Sequence, residues 1–218
     1  MISKRLLAIA AMIRRGSTVA DIGTDHGLLP IYLIERGISP KAFATDIGVS
    51  PAAVAEKNVS TAGLSAQIEV RVGDGLAPVS PDDADDIVIA GMGGETIAAI
   101  LNAAPWVKNA RYRLILQPMT HAEAVHGWLY ANGFTIEEEH FLEDAGRQYI
   151  LLCATYTAAA PVTDPLKIWC GALSADEGRP YFNKCAIHLE KCAAGCVARG
   201  EQADAAAFTV LAEQLRNV

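Results

Sequence analysis

The 218-residue chain has no run of about eighteen uninterrupted apolar residues, so a helical membrane span is not expected. It also lacks an even complement of cysteines. The five, Cys153, Cys170, Cys185, Cys192 and Cys196, come without a recognisable secretory signal, which argues against a disulfide framework. The apolar stretch 6–13 is bracketed by Lys4, Arg5, Arg14 and Arg15. A signal peptide would carry charge only before such a stretch and a small-residue cleavage site after it. The stretch predicts a basic amphipathic helix in a cytoplasmic protein. Net positive charge is missing as well. The chain carries −7, which counts against a nucleic-acid surface spread over the whole molecule. With 51% hydrophobic and 20% charged residues it is an ordinary globular composition, long enough for one moderate domain and an appendage.

The charge is unevenly placed. Residues 1–15 hold four basic side chains and no acidic one, whereas residues 1–157 as a whole hold 12 Lys and Arg against 18 Asp and Glu. Residues 158–218 hold 6 against 7. A phosphate-bearing partner should therefore meet the first helix and the C-terminal segment, where Arg179, Lys184, Lys191 and Arg199 lie, rather than the acidic body.

Strand and helix signals alternate through the body. Short apolar runs at 17–22, 42–45, 67–72, 87–90 and 113–116 predict strands, each followed by a glycine- or aspartate-bearing turn. Helices are expected at 28–36, closed by Gly37, and at 50–63, with Ser50 as N-cap and Pro51 in first position. Two more follow, one from Glu95 and one at 121–132. The pattern then becomes two strands, 134–143 and 147–156, joined by Asp144-Ala145-Gly146, a hairpin signal. Five βα repeats and a closing hairpin imply an α/β fold with a mostly parallel sheet. In such sheets ligands bind at the carboxyl ends of the strands, near the point where strand order reverses. Residues 158–165 look like a linker. Beyond them, helices at roughly 179–199 and 202–217 are expected as an antiparallel pair.

The turn after the first strand reads Asp21-Ile22-Gly23-Thr24-Asp25-His26-Gly27. A glycine-rich turn there is common to binders of NAD, FAD and S-adenosylmethionine, as is an acidic residue such as Asp46 beyond the second strand. Asp25 discriminates. It stands where a dinucleotide site needs bare glycine against a pyrophosphate, and a carboxylate a few Å from a diphosphate is repelled. S-adenosylmethionine carries an ammonium, a sulfonium and one carboxylate, so Asp21 and Asp25 attract it. The bland alternative is that both only cap the next helix. Gly73-Asp74-Gly75 after the third strand can accept from an adenine amino group, or be a plain Asp-Gly turn. Gly91-Met92-Gly93-Gly94 after the fourth bares several backbone N–H groups, or serves close packing at Gly94.

Taken in order, these motifs resemble those of the class I S-adenosylmethionine-dependent methyltransferases. More narrowly, they resemble the bacterial tRNA adenine-N1 methyltransferase family called TrmK. The matching motifs are Ile2-Ser3-Lys4-Arg5-Leu6, the loop from Asp21 to His26 with Leu29-Pro30 behind it, Gly73-Asp74-Gly75-Leu76, Ala90-Gly91-Met92-Gly93-Gly94, Leu114-Ile115-Leu116-Gln117-Pro118 and Trp128-Leu129. The match covers about residues 2–155. Met119, His126 and Ile150 stand where the family usually has Asn, Arg and Glu. The resemblance implies a Rossmann-like sheet of seven strands with an antiparallel C-terminal hairpin. It implies a methyltransferase domain at 1–157 and a small coiled-coil-like helical domain at 166–218. It also implies N1 methylation of the adenosine at position 22 in the D arm of tRNA, with S-adenosylmethionine as cofactor and no metal.

By position, Asp21, Gly23, Thr24, Asp25, His26 and Gly27 would surround the methionine part of the cofactor. Asp46 and Ile47 would hold its ribose, and Gly73, Asp74 and Gly75 its adenine, with Gly91 and Met92 closing the site. Gly93, Gly94, Gln117, Pro118 and Tyr149 would line the substrate pocket, and Lys4 and Arg5 would contact tRNA. Adenine N1 owns a lone pair and loses no proton before attack, so catalysis should rest on positioning and on stabilising positive charge on the ring. Asp25, then Glu95, are the expected acceptors from the base's amino group. His121, His126 and His140 are expected on the surface, and Trp128 and Trp169 in the core. Cys185, His188, Cys192 and Cys196 share a helix face. A helix spreads them too far for one zinc ion, so a packing seam is expected. A small-molecule methyltransferase, an NAD-dependent oxidoreductase and a non-catalytic RNA-binding module remain as alternatives, and the oligomeric state is open, a monomer included.

Overall fold

The computed structural model describes residues 2–144 and 146–218. The strands are β1 (Val19–Ile22), β2 (Ala42–Asp46), β3 (Ile68–Val72), β4 (Asp86–Gly93), β5 (Arg113–Thr120), β6 (Phe134–Asp144) and β7 (Arg147–Tyr156). They form one seven-stranded sheet in the order β3-β2-β1-β4-β5-β7-β6. All pairings up to β5 are parallel, and β7 pairs antiparallel with both β5 and β6. The hairpin turn includes Ala145, which lies outside the described residues. The chain order reverses at β1, which has β2 on one side and β4 on the other. A crevice at the β1/β4 carboxyl ends is the topological consequence.

The helices are α1 (Lys4–Met12), α2 (Leu28–Glu35), α3 (Val49–Thr61), α4 (Gly94–Asn102), α5 (Ala122–Ala131), α6 (Pro165–Cys170), α7 (Ala175–Arg199) and α8 (Gln202–Asn217). Strand alternation sends Val88 to one face of the sheet and Ile87 and Ile89 to the other. On the first face Val88 packs in a cluster with Ile9, Ile13, Leu29 and Leu33 of the α1 and α2 segments. On the second, Ile87, Ile89, Leu114 and Leu116 pack with Ile97, Leu101, Val125 and Leu129. Phe182, Leu189 and Leu215 of the last helices belong to that same cluster. Each such buried side chain contributes about 1.5–3 kcal/mol, so the C-terminal helices are held by core and not only by a tether.

Four differences from the sequence-based expectation have physical causes. No α-helix joins β3 to β4. Residues 73–85 form turns, so four βα units are present, not five. α3 starts at Val49 with Gly48 as its N-cap, because Asp46 Oδ1 accepts from the Gly48 amide at 2.8 Å and places the turn two residues early. α7 starts at Ala175, since Ser174 caps the Glu177 amide and Pro180 is carried inside the helix. Lastly, His126 is fully buried, not a surface residue. Its Nε2 meets Glu139 Oε1 at 2.7 Å and its Nδ1 the Ile168 carbonyl at 2.8 Å. Glu139 Oε2 also accepts from the Ala172 amide at 2.5 Å. This latch ties α5 and β6 to the end of α6. His121 and His140 are exposed.

Candidate active site

Backbone hydrogen bonds draw the strand ends together before any side chain is considered. The Gly23 and Thr24 amides both donate to the Thr45 carbonyl at 2.8 Å, and the Gly73 amide donates to the Asp46 carbonyl at 2.9 Å. The Asp46 carboxylate extends this network, accepting from the Gly48 amide and, at 3.4 Å, from the Asp25 amide. Asn58 on α3 holds the His26 carbonyl at 2.9 Å. The ends of β1, β2 and β3 thus share one crevice. The Met92 side chain, from the end of β4, lies against Gly23 and closes the fourth side.

Asp21 is buried to 6% exposure, and its Oδ2 accepts from the Thr24 hydroxyl at 2.7 Å. Burial pushes its carboxyl up to about 6, while the Thr24 hydrogen bond and the charge of Arg5 pull the other way. Asp25, at a positive φ of 53°, stands exposed at the loop apex, with the His26 imidazole 3.7 Å from its carboxylate. Ile47, 69% exposed, and Val72, 51% exposed, put an apolar shelf beside Asp46 and Gly73. Carboxylates next to a bare apolar shelf suit a ligand with a cationic end and a flat ring.

The structure separates residues that the motifs had grouped. Glu95, in the first turn of α4, opens with Asp74 and Gly75 onto a cleft lined by Leu76, Ile100 and Trp106. None of that cleft's described lining residues comes from the loop 21–27 that carries Asp25. Gln117 is fully buried, and its amide is fully engaged. Its Oε1 accepts from Arg5 Nη1 at 2.7 Å and from the Gly91 amide at 3.1 Å, and its Nε2 donates to the Pro118 carbonyl at 2.9 Å. Its hydrogen-bonding groups are thus satisfied within the protein. Gly94 is buried where an added Cβ would collide with the His121 carbonyl, so its glycine is a packing requirement. Gly93 pairs with Thr120 and Met92 with Pro118 across β4 and β5. Pro118 and Tyr149 line a cavity beside those strand ends.

The basic residues also divide. Lys4 Nζ donates to the Glu143 carbonyl at 3.0 Å and the Arg5 amide to Asp144 Oδ2 at 3.3 Å, so both brace α1 against the hairpin. Arg14 lies at the amino end of β4, bound to the fully buried Asp86. Its guanidinium is thus engaged on the far side of the sheet from the strand carboxyl ends. Nothing in sequence spacing links residues 5 and 117, so the Arg5–Gln117–Gly91 connection arises only in the folded chain. Among the described residues no group of three or more His, Cys, Asp or Glu is placed to hold a metal ion, and no helix is long and apolar enough to cross a membrane.

A sheet of this order with a carboxylate-lined crevice at its switch point is that of a Rossmann-like methyltransferase. The chain belongs to the methyltransferase-domain family, whose profile matches residues 2–152, and within it to the tRNA (adenine(22)-N1)-methyltransferases. It is 38% identical over 153 residues to the tRNA (adenine(22)-N(1))-methyltransferase of Bacillus subtilis (strain 168), a stretch that covers 70% of this chain and 64% of that protein. The crystal structure of the B. subtilis tRNA methyltransferase TrmK matches with a TM-score of 0.84 at 29% identity, over 99% of both chains. That of Streptococcus pneumoniae Sp1610 in complex with S-adenosyl-L-methionine matches with a TM-score of 0.81 at 33% identity, over 99% of this chain and 100% of the other.

Proposed function

We propose that this protein transfers the methyl group of S-adenosylmethionine to N1 of adenosine 22 in the D arm of tRNA. The observation that carries this is Asp21, a buried carboxylate at the switch point beside Asp46, with an apolar shelf at Ile47. A cationic ligand relieves that charge, and a dinucleotide phosphate would aggravate it. The relatives named above support the substrate.

In this reading Asp21, Gly23, Thr24, His26 and Gly27 hold the methionine part. Asp46 and Ile47 hold the ribose, and Gly73, Asp74, Gly75 and Glu95 border the adenine. S-adenosylmethionine supplies an already activated methyl group. The protein's residues have four tasks: to place the target N1 in line, to exclude water, to accept from the base's amino group and to offset charge arriving on the ring. Asp25, exposed and held through its own amide by Asp46, is the acceptor we assign. Gly93, Pro118 and Tyr149 face the entering base, and Arg5, Gln117 and Gly91 keep that edge rigid. Residues 1–157 are the catalytic unit and 166–218 a helical unit that meets RNA, with the work done in the cytoplasm.

The test is incubation of the purified protein with S-adenosylmethionine and unmodified tRNA, followed by nucleoside mass spectrometry. The expected product is 1-methyladenosine at one position of the D arm. Labelling of a metabolite extract in place of tRNA would favour a small-molecule substrate, and tRNA binding without turnover a non-catalytic role.

A further inference from the structure

A cavity of about 230 Å³ opens beside the end of β5, between the β6–β7 hairpin and α7. Its lining includes Pro118 and Tyr149, the residues given above to the entering base. Pro118 and Thr120 of the lining pair with Met92 and Gly93 at the end of β4. The acceptor pocket is thus built on the strand next to the one carrying Met92, whose side chain closes the cofactor crevice.

The rest of the lining has a chemistry that the entry of a base does not by itself require. Phe141, Tyr149, Trp169 and Tyr181 supply aromatic rings, and Glu123 supplies a carboxylate. Glu123 stands in the first turn of α5, just past His121, whose φ of 53° turns the chain from β5 into the helix. Asp25 and His121 are two of the three non-glycine residues at positive φ among the described residues, so strain marks this elbow as it marks the cofactor loop. His121 Nδ1 lies 2.8 Å from Glu123 Oε1, and Oε2 has no partner among the described residues. The imidazole is 49% exposed and the carboxylate 22%, so water screens the first more than the second. The buried Tyr181 hydroxyl makes no hydrogen bond to any oxygen or nitrogen of the described residues, which leaves its lone pairs free to turn toward positive charge.

Methyl transfer to N1 moves a charge. The N1 lone pair forms the bond to the methyl carbon, the carbon–sulfur bond breaks, and its electron pair stays on sulfur. The sulfonium becomes a neutral thioether and the adenine ring becomes a cation, with no proton lost. Positive charge therefore leaves the crevice of Asp21 and Asp46 and arrives in the acceptor pocket. Aromatic faces attract a cation through their quadrupole, more strongly where water is excluded, and an unpartnered carboxylate oxygen attracts it directly.

We propose that Glu123 and the aromatic walls around it form the counter-charge for the methylated ring, so that this pocket holds cationic 1-methyladenosine more tightly than adenosine. The assignment rests on the methyl-transfer reading above and names the groups that perform the last of its four tasks. Attraction that strengthens only as the charge arrives lowers the barrier and leaves KM alone. Lys184 and His188, the exposed members of the lining on α7, are left to the phosphate of the same nucleotide.

The test measures, at pH 7, the affinity of wild type and Glu123→Gln for two tRNAs, one with adenosine and one with 1-methyladenosine at the target position. Both proteins are saturated with S-adenosylhomocysteine. Wild type should prefer the methylated tRNA. Glu123→Gln should reduce that preference roughly five- to tenfold, within the range for a cation in a partly desolvated site. Its affinity for unmodified tRNA should stay within about twofold of wild type, and its kcat should fall with KM unchanged. A melting shift with S-adenosylmethionine reports that the variant folds. If it does not fold, Trp169→Leu carries the same comparison with the same expected loss. A wild type that prefers unmodified tRNA, an undiminished preference in the variant, or an equal weakening toward both tRNAs overturns the counter-charge alone. Absence of methyl transfer to unmodified tRNA by the wild type overturns the parent reading, and the counter-charge with it.

Discussion

Asp21 is an acid kept where acids are least stable in their charged form. Burial raises its carboxyl to about 6, from an ordinary value near 3.8. Between those values the folded chain binds a proton that the unfolded chain has lost, so stability falls as pH rises through that window. Above it the ionised group carries an unrelieved cost, and a cationic ligand removes that cost. Affinity for S-adenosylmethionine should thus be steady above pH 7 and fall below about 6, by up to tenfold per unit, as the ligand must displace a proton. Calorimetry across pH 5 to 8 reads this directly. Asp21→Asn should bind weakly with no such dependence, and a wild-type profile flat through pH 6 would remove Asp21 from charge recognition.

Asp46 allows a second measurement at the same scale. Its carboxylate already accepts from two loop amides, so Asp46→Ala loosens the loop as well as losing a ribose contact. The expected weakening is about 1.5–3 kcal/mol, the range for hydrogen bonds to charged groups. Unchanged binding in calorimetry would show that ribose is held elsewhere.

Among the elements, the latch from α5 and β6 to the end of α6 decides how the C-terminal helices dock. Desolvation lowers the His126 pKa, but the charge and hydrogen bond of Glu139, with the Ile168 carbonyl, outweigh it and raise it overall. A raised histidine contributes stability that is fully present below its unfolded pKa and is lost as pH rises through the folded one. Glu139→Gln should cost about 3–5 kcal/mol, as for loss of one partner of a buried pair. Its deficit against wild type in urea unfolding should be larger at pH 6 than at pH 9. An equal deficit at both would mean that the imidazole is neutral throughout. The Gly171 backbone, at a φ of 61°, presses on the same pair, and an added Cβ there would collide with Glu139.

As a whole the molecule carries −7, so RNA must be held by local cations against an unfavourable average field. Lys4, Arg5 and Arg14 are spent on bracing α1, and reversing Arg5 would disturb Gln117 and Gly91 along with any RNA contact. Lys184 and Lys191 on α7 are exposed. Reversing both to Glu should weaken tRNA binding and flatten its salt dependence by about one unit of slope per lost phosphate contact. Binding curves at two or more salt concentrations decide the matter, and identical slopes would place the RNA path off α7.

Much of this protein was legible in its residue order. The βα alternation and the final hairpin carry strong period signals, because each strand must show one or two apolar faces whatever its neighbours are. The acidic turns at Asp21, Asp46 and Asp74 were legible too, because glycine and aspartate at strand ends answer to local backbone geometry. The pairings that make a site from them were not. Arg5 meets Gln117 across 112 positions of chain, and His126 meets Glu139 from a different element. Side chains that satisfy each other only after the sheet closes leave no periodic trace, since their energy comes from burial, and burial is a property of the assembled fold.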